Sequence, residues 1–138
     1  MKFILITPVF IFFSIQLIAQ DTTVVFINNQ KVAQAIIKQG QAEAVLQVKK
    51  ADYKKSTSFI IKVTGEHIGG ELYKRSLEIS NSNIIIIEET KNSLGYFDIS
   101  KKQLPGDKTI SLYLIMEPSN PGMRIPSKRI YLGNLVMK

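Results

Sequence analysis

The chain has no cysteine and no tryptophan, only one histidine, His67, and five prolines in 138 residues. Without cysteine there are no disulfides, no thiol nucleophile and no cysteine-linked lipid anchor, so the fold must be held by burial alone. A single imidazole leaves His67 as the only base for a Ser-His-Asp arrangement, and the sequence offers no Gly-x-Ser-x-Gly turn to pair with it. The lone histidine also falls short of a closed zinc site, which needs further His or Cys ligands.

Residues 65–71, Gly-Glu-His-Ile-Gly-Gly-Glu, are the segment closest to a chemical motif. The outer glycines have P-loop spacing, yet Glu71 stands where lysine would meet a phosphate, and like charge repels it. Glu66, His67 and Glu71 could contribute to a metal site or a metal-dependent enzyme, but a glycine-rich hairpin loop with a solvated histidine accounts for them. Copper needs soft ligands. Beyond the leader only Met116, Met123 and Met137 remain, and the first and last have strand parity suited to core filling. Adjacent Glu88 and Glu89 point to opposite sides of a strand and so cannot face each other as a glycosidase pair. We therefore expect no catalytic residue, no metal and no cofactor.

What is present begins with Lys2 and a nearly uncharged apolar run to Ala19. A basic end, an apolar core and a small residue make residues 1–19 a secretory signal peptide, and residues 20–138 a single exported domain, periplasmic or extracellular. An uncleaved membrane anchor is the alternative, since the run just reaches the lower length limit of a spanning helix. The remaining 119 residues suffice for a self-supporting core. Their 17 basic against 11 acidic side chains leave +6, once Lys2 is subtracted from the 18 of the whole chain. Such an excess favours anionic partners in general without naming one.

Turn punctuation divides the rest into β-type runs. Residues 23–27 end at Asn28-Asn29, a pair suited to a tight hairpin; residues 31–38 return from it, and residues 42–49 follow Gly40. In residues 57–64, Phe59, Ile61 and Val63 alternate with Ser58, Ile60 and Lys62. Residues 71–80, 84–87 and 94–100 continue the series, before the longest runs, 109–117 and 129–137, which we expect near the centre of a sheet. Ile84 to Ile87 has no polar face, so it belongs in a covered central position or leaves an apolar stripe for a partner. Seven to nine strands without a convincing amphipathic helix predict an all-β fold, a two-layer antiparallel β-sandwich of Ig-like type. A small up-and-down β-barrel is the second architecture.

Two surfaces remain open to function. Lysine and arginine recur beside tyrosine at Lys50, Tyr53 and Lys54, at Tyr73 and Arg75, and at Arg124, Lys128, Arg129 and Tyr131. Cations with tyrosine faces suit an acidic polymer, a glycan before nucleic acid because an exported protein seldom meets the latter. Lysine protecting sheet edges and tyrosine on strand faces explain the same pattern without a ligand. The second surface is apolar. If Phe59, Ile61, Ile84, Ile86, Ile110, Leu112 and Leu114 line the core, then Ile60, Ile85, Ile87, Tyr113 and Ile115 point outward and form a patch for another protein or a second copy.

These features predict a non-enzymatic binding or structural module that engages a protein or another cell-envelope component, with oligomerisation allowed. A barrel carrier of an apolar ligand is the alternative. Mass spectrometry of the processed protein should find a chain beginning at Gln20; a chain retaining Met1 to Ala19 would identify the anchor instead.

Overall fold

A computed structural model describes residues 21–37, 45–65, 68–80, 83–91, 93–100, 104 and 109–138. The expected leader, His67 with Glu66, and residues 42–44 of the third expected strand lie outside these residues. Nine strands and one helical turn are seen among them: β1 Asp21–Ile27, β2 Gln30–Ile37, β3 Val45–Val48, α1 Lys50–Lys54, β4 Phe59–Thr64, β5 Tyr73–Ser80, β6 Ile84–Glu88, β7 Tyr96–Asp98, β8 Thr109–Pro118 and β9 Lys128–Met137. They form two sheets, β2-β1-β4-β7 and β3-β9-β8-β5-β6.

The molecule is therefore an all-β sandwich, and its open sheets overturn the barrel alternative. Each sheet keeps two edges, β2 and β7 in one and β3 and β6 in the other. One pairing departs from a purely antiparallel arrangement: β3 runs parallel to β9, from Val45 opposite Asn134 to Val48 opposite Met137. The chain leaves the first hairpin, changes sheets and enters beside β9 in the same direction. Backbone bonds from Lys50 N to the Lys138 carbonyl (2.7 Å) and from Lys138 N to the Val48 carbonyl (2.9 Å) extend this ladder.

Alternation builds the interior. On β8, Ile110, Leu112, Leu114 and Met116 are buried, and they meet Phe59, Ile61 and Val63 of β4 and Phe97 of β7 across the gap. Leu77 and Ile79 of β5, with Leu132 and Leu135 of β9, complete the layer. Large side chains fill the space between the sheets to form a single core, as in other face-to-face sheet pairs.

The first hairpin turns through Asn28 and Asn29, both at positive φ (49° and 66°), which asparagine tolerates and a two-residue primed turn requires. Asn28 also fastens β1 to the approach to β4, its Oδ1 accepting from Thr57 N (2.9 Å), Thr57 Oγ1 (2.9 Å) and Ser58 N (3.0 Å). Thr23 is fully buried on the inner face of β1, and its hydroxyl has no hydrogen-bond partner among the described residues. A desolvated, unpaired hydroxyl opposes folding by about 1–3 kcal/mol. Thr23→Val, of nearly the same shape, should therefore raise the urea midpoint by a free energy of about 1 kcal/mol; a loss of stability would show that the hydroxyl is paired.

Candidate functional site

The outer face of the five-stranded sheet is set by the inner one. With Ile110, Leu112, Leu114 and Met116 inside, β8 presents Ser111, Tyr113 and Ile115 outward. Their neighbours on β5, by register, are Ser80, Glu78 and Ser76. Beyond these, β6 contributes Ile84, Ile86 and Glu88.

On the other side of β8, strand β9 would not place Tyr131 outward by simple alternation. Leu135 faces the core, so a strict period of two would send Gly133 and Tyr131 inward as well. A bulge intervenes. The register shifts between Leu112, opposite Gly133, and Tyr113, opposite Tyr131, and the extra residue Leu132 is buried. Gly133 adopts φ 124°, a conformation other residues rarely take, and so permits the distortion.

The bulge brings two half-buried tyrosines together on the outer face. The ring centroids of Tyr113 and Tyr131 are 5.4 Å apart with the planes at 54°. The Arg129 guanidinium lies 3.7 Å from the centre of the Tyr113 ring and donates to Glu78 Oε2 at 2.5 Å. Hydrogen bonding to Glu78 outweighs the cost of partial burial and holds the Arg129 pKa above its ordinary value. Arg129 thus stays cationic at any physiological pH. Asn134 and Ser111, hydrogen-bonded at 3.0 Å, flank the group on one side. Ile86, half-exposed, lies beside Glu78 on the other.

The remaining basic and tyrosine candidates do not join this cluster. Lys50, Tyr53 and Lys54 lie on α1, beside the Lys138 end of β9. Tyr53 packs edge-on to Phe59 at 5.6 Å, and its hydroxyl accepts from Leu104 N at 3.3 Å, so it anchors the turn. Tyr73, with Lys128 over its ring at 5.8 Å, and exposed Arg124 sit at the opposite end of β8. Ten residues of strand separate the two ends by about 30 Å, so they form no common site for one short ligand.

Arg75 is a correction: expected on the binding surface, it is buried. Its side chain, 3% exposed, donates to Glu89 through Nε (2.5 Å) and Nη2 (3.2 Å), and through Nη1 to the carbonyls of Ile68 (2.9 Å) and Gly70 (2.8 Å). Glu89 in turn accepts from Gly95 N at 2.8 Å. The parity Arg75, Leu77, Ile79 was the sequence signal for an inward arginine. Four hydrogen bonds satisfy its charge there, and the node pins the loop before β5 to the β6–β7 connection.

The apolar candidates need correction too. Ile87 is buried and Ile85 packs against the core, whereas Ile84 and Ile86, expected inside, are 65% and 51% exposed. Register explains the reversal: Leu77 opposes Ile87 and Ile79 opposes Ile85, so the inner face of β5 draws the odd-numbered isoleucines inward. Strand β6 is also an edge rather than a central strand. Ile60 belongs to the outer face of the other sheet, paired with Phe26 and Asp98. Only Tyr113 and Ile115 share the face now described.

No group of acidic or histidine side chains among the described residues is arranged to hold a metal, and none of their helices is long and apolar enough to cross a membrane. Comparison of the chain with family models, with characterised proteins and with solved structures finds no match.

The two arginine–glutamate pairs should separate on mutation. Arg75→Ala removes a buried guanidinium with four hydrogen bonds, leaves the partly buried Glu89 carboxylate without its cation, and should cost about 3 kcal/mol in urea unfolding. Arg129→Ala, where the lost guanidinium is half exposed and water can reach the carboxylate it leaves, should lower the unfolding midpoint only modestly, by much less than Arg75→Ala.

Proposed function

We propose that this chain is an exported, non-enzymatic, Ig-like binding module that engages a protein of the cell envelope through the outer face of its five-stranded sheet. The observation that carries the reading is the cluster of Tyr113, Tyr131 and Arg129 beside exposed isoleucine. Tyrosine and arginine are the residues most enriched where binding energy concentrates in protein interfaces. The Arg129–Glu78 pair holds the guanidinium in place, which lowers the ordering cost of binding.

A protein fits better than a polysaccharide. Sugar rings stack on open aromatic faces, and the Arg129 guanidinium already covers Tyr113. The Ig-like assignment draws on connectivity: β4 and β7 pair in one layer, opposite β5, β8 and β9 in the other, as strands B and E lie opposite C, F and G in immunoglobulin-type sandwiches. Export draws on the apolar leader, and a periplasmic or extracellular location follows from it.

Affinity purification from envelope fractions tests the reading. A partner retained by the wild-type protein should lose affinity by about tenfold or more with Tyr113→Ala or Tyr131→Ala, and should persist in high salt because much of the contact is apolar. Lys50→Ala and Lys54→Ala should leave it bound. Retention that follows the lysines and fades with salt would instead assign binding to the basic end of the molecule.

A further inference from the structure

Strand β6 is bonded to β5 on one side and, among the described residues, to no other strand. Its free side is therefore a row of backbone donors and acceptors spaced to match another extended chain. Edge strands are ordinarily guarded by lysine, proline or a bulge. This one has none: its sequence is Ile-Ile-Ile-Ile-Glu, and its register with β5 is regular from Ser76 opposite Glu88 to Ser80 opposite Ile84.

The side chains describe the occupant. On the outer face Ile84 and Ile86 stand open, while on the inner side Ile85 and Ile87 continue the core to the sheet edge. An added strand would thus meet apolar neighbours on both faces. At the end of the row Glu88 is exposed and has no ion-pair or hydrogen-bond partner among the described residues. Opposite it, an added strand is best completed by a cation.

We propose that the β6 edge accepts an extended apolar segment of another protein, added as a sixth strand, with a lysine or arginine opposite Glu88. The proposal rests on the reading of the molecule as a protein-binding module and supplies the mode of engagement. A second copy of this chain fits less well. Its own β6 has no cation: antiparallel pairing about Ile86 sets each Glu88 against an isoleucine, and parallel pairing in register sets Glu88 against Glu88.

Two capped nine-residue peptides of alternating valine and threonine test this, one with lysine and one with glutamate at the position facing Glu88 in the antiparallel register. Titrated into the purified chain and followed by NMR, the lysine peptide should shift and protect the amides of Ile84 to Glu88 and bind more tightly than the glutamate peptide. Glu88→Lys should reverse the preference, by about three- to tenfold, and Ile86→Lys should abolish both interactions. Both positions are exposed, and an unchanged circular dichroism spectrum will confirm that the variants fold. Peptides that leave β6 unperturbed, or a preference indifferent to Glu88→Lys, would overturn the proposal. Self-association abolished by Ile86→Lys, without peptide binding, would overturn it in favour of a second copy. Glu88→Lys touches neither the Tyr113–Tyr131–Arg129 cluster nor the Ile86 that flanks it, so failure at the edge, read from that variant, is distinguishable from failure of the face, which the tyrosine variants report.

Discussion

The packed layer between the sheets is the constraint from which the rest follows. Once Ile110, Leu112, Leu114 and Met116 interlock with Phe59, Ile61, Val63 and Phe97, every second residue of the inner strands is committed. The outward residues carry no such obligation, and there the chain places tyrosine, arginine, serine and isoleucine. The buried charge of Arg75 is heavily satisfied: a carboxylate and two carbonyls surround it, and the node ties together loops that would otherwise hang from the sandwich.

Much of this architecture was legible in the residues. Alternation in 57–64 and 109–117 gave both the strands and their inner faces, and the long C-terminal runs do occupy the middle of a sheet. Asn28-Asn29 announced its turn because few residues accept positive φ. Edge and centre were harder to tell apart, since strand order depends on pairings far apart in sequence. Four consecutive isoleucines contain no polar residue to report their phase, so only the register against Leu77 and Ile79 could show which two face water.

The site was legible in its members but not in its assembly. Arg129 and Tyr131 were singled out together as basic and aromatic neighbours and Tyr113 separately in the apolar patch, because the meeting of the two tyrosines depends on the bulge at Leu132 and Gly133. Glycine inside a strand pattern is the available hint of such a bulge. The basic residues dispersed for the opposite reason. Proximity in sequence put Tyr73 and Arg75 together, and two residues apart on a strand they do share a face, but it is the inner one: Arg75 is buried and Tyr73 packs against the core.

The parallel partnership of β3 and β9 also bears on the order in which the molecule is built. Val45 must find Asn134, 89 positions away, and that contact cannot exist until the final strand is in place. Contacts of such long range form slowly, because the intervening chain loses much freedom before it gains any stability. The five-stranded sheet is thus finished late, when β3 and β9 meet, and until then β9 has a partner in β8 alone and lacks β3 along its other flank. Any condition that delays the last strand prolongs a state with an open sheet flank, where sticking to a neighbouring molecule competes with folding.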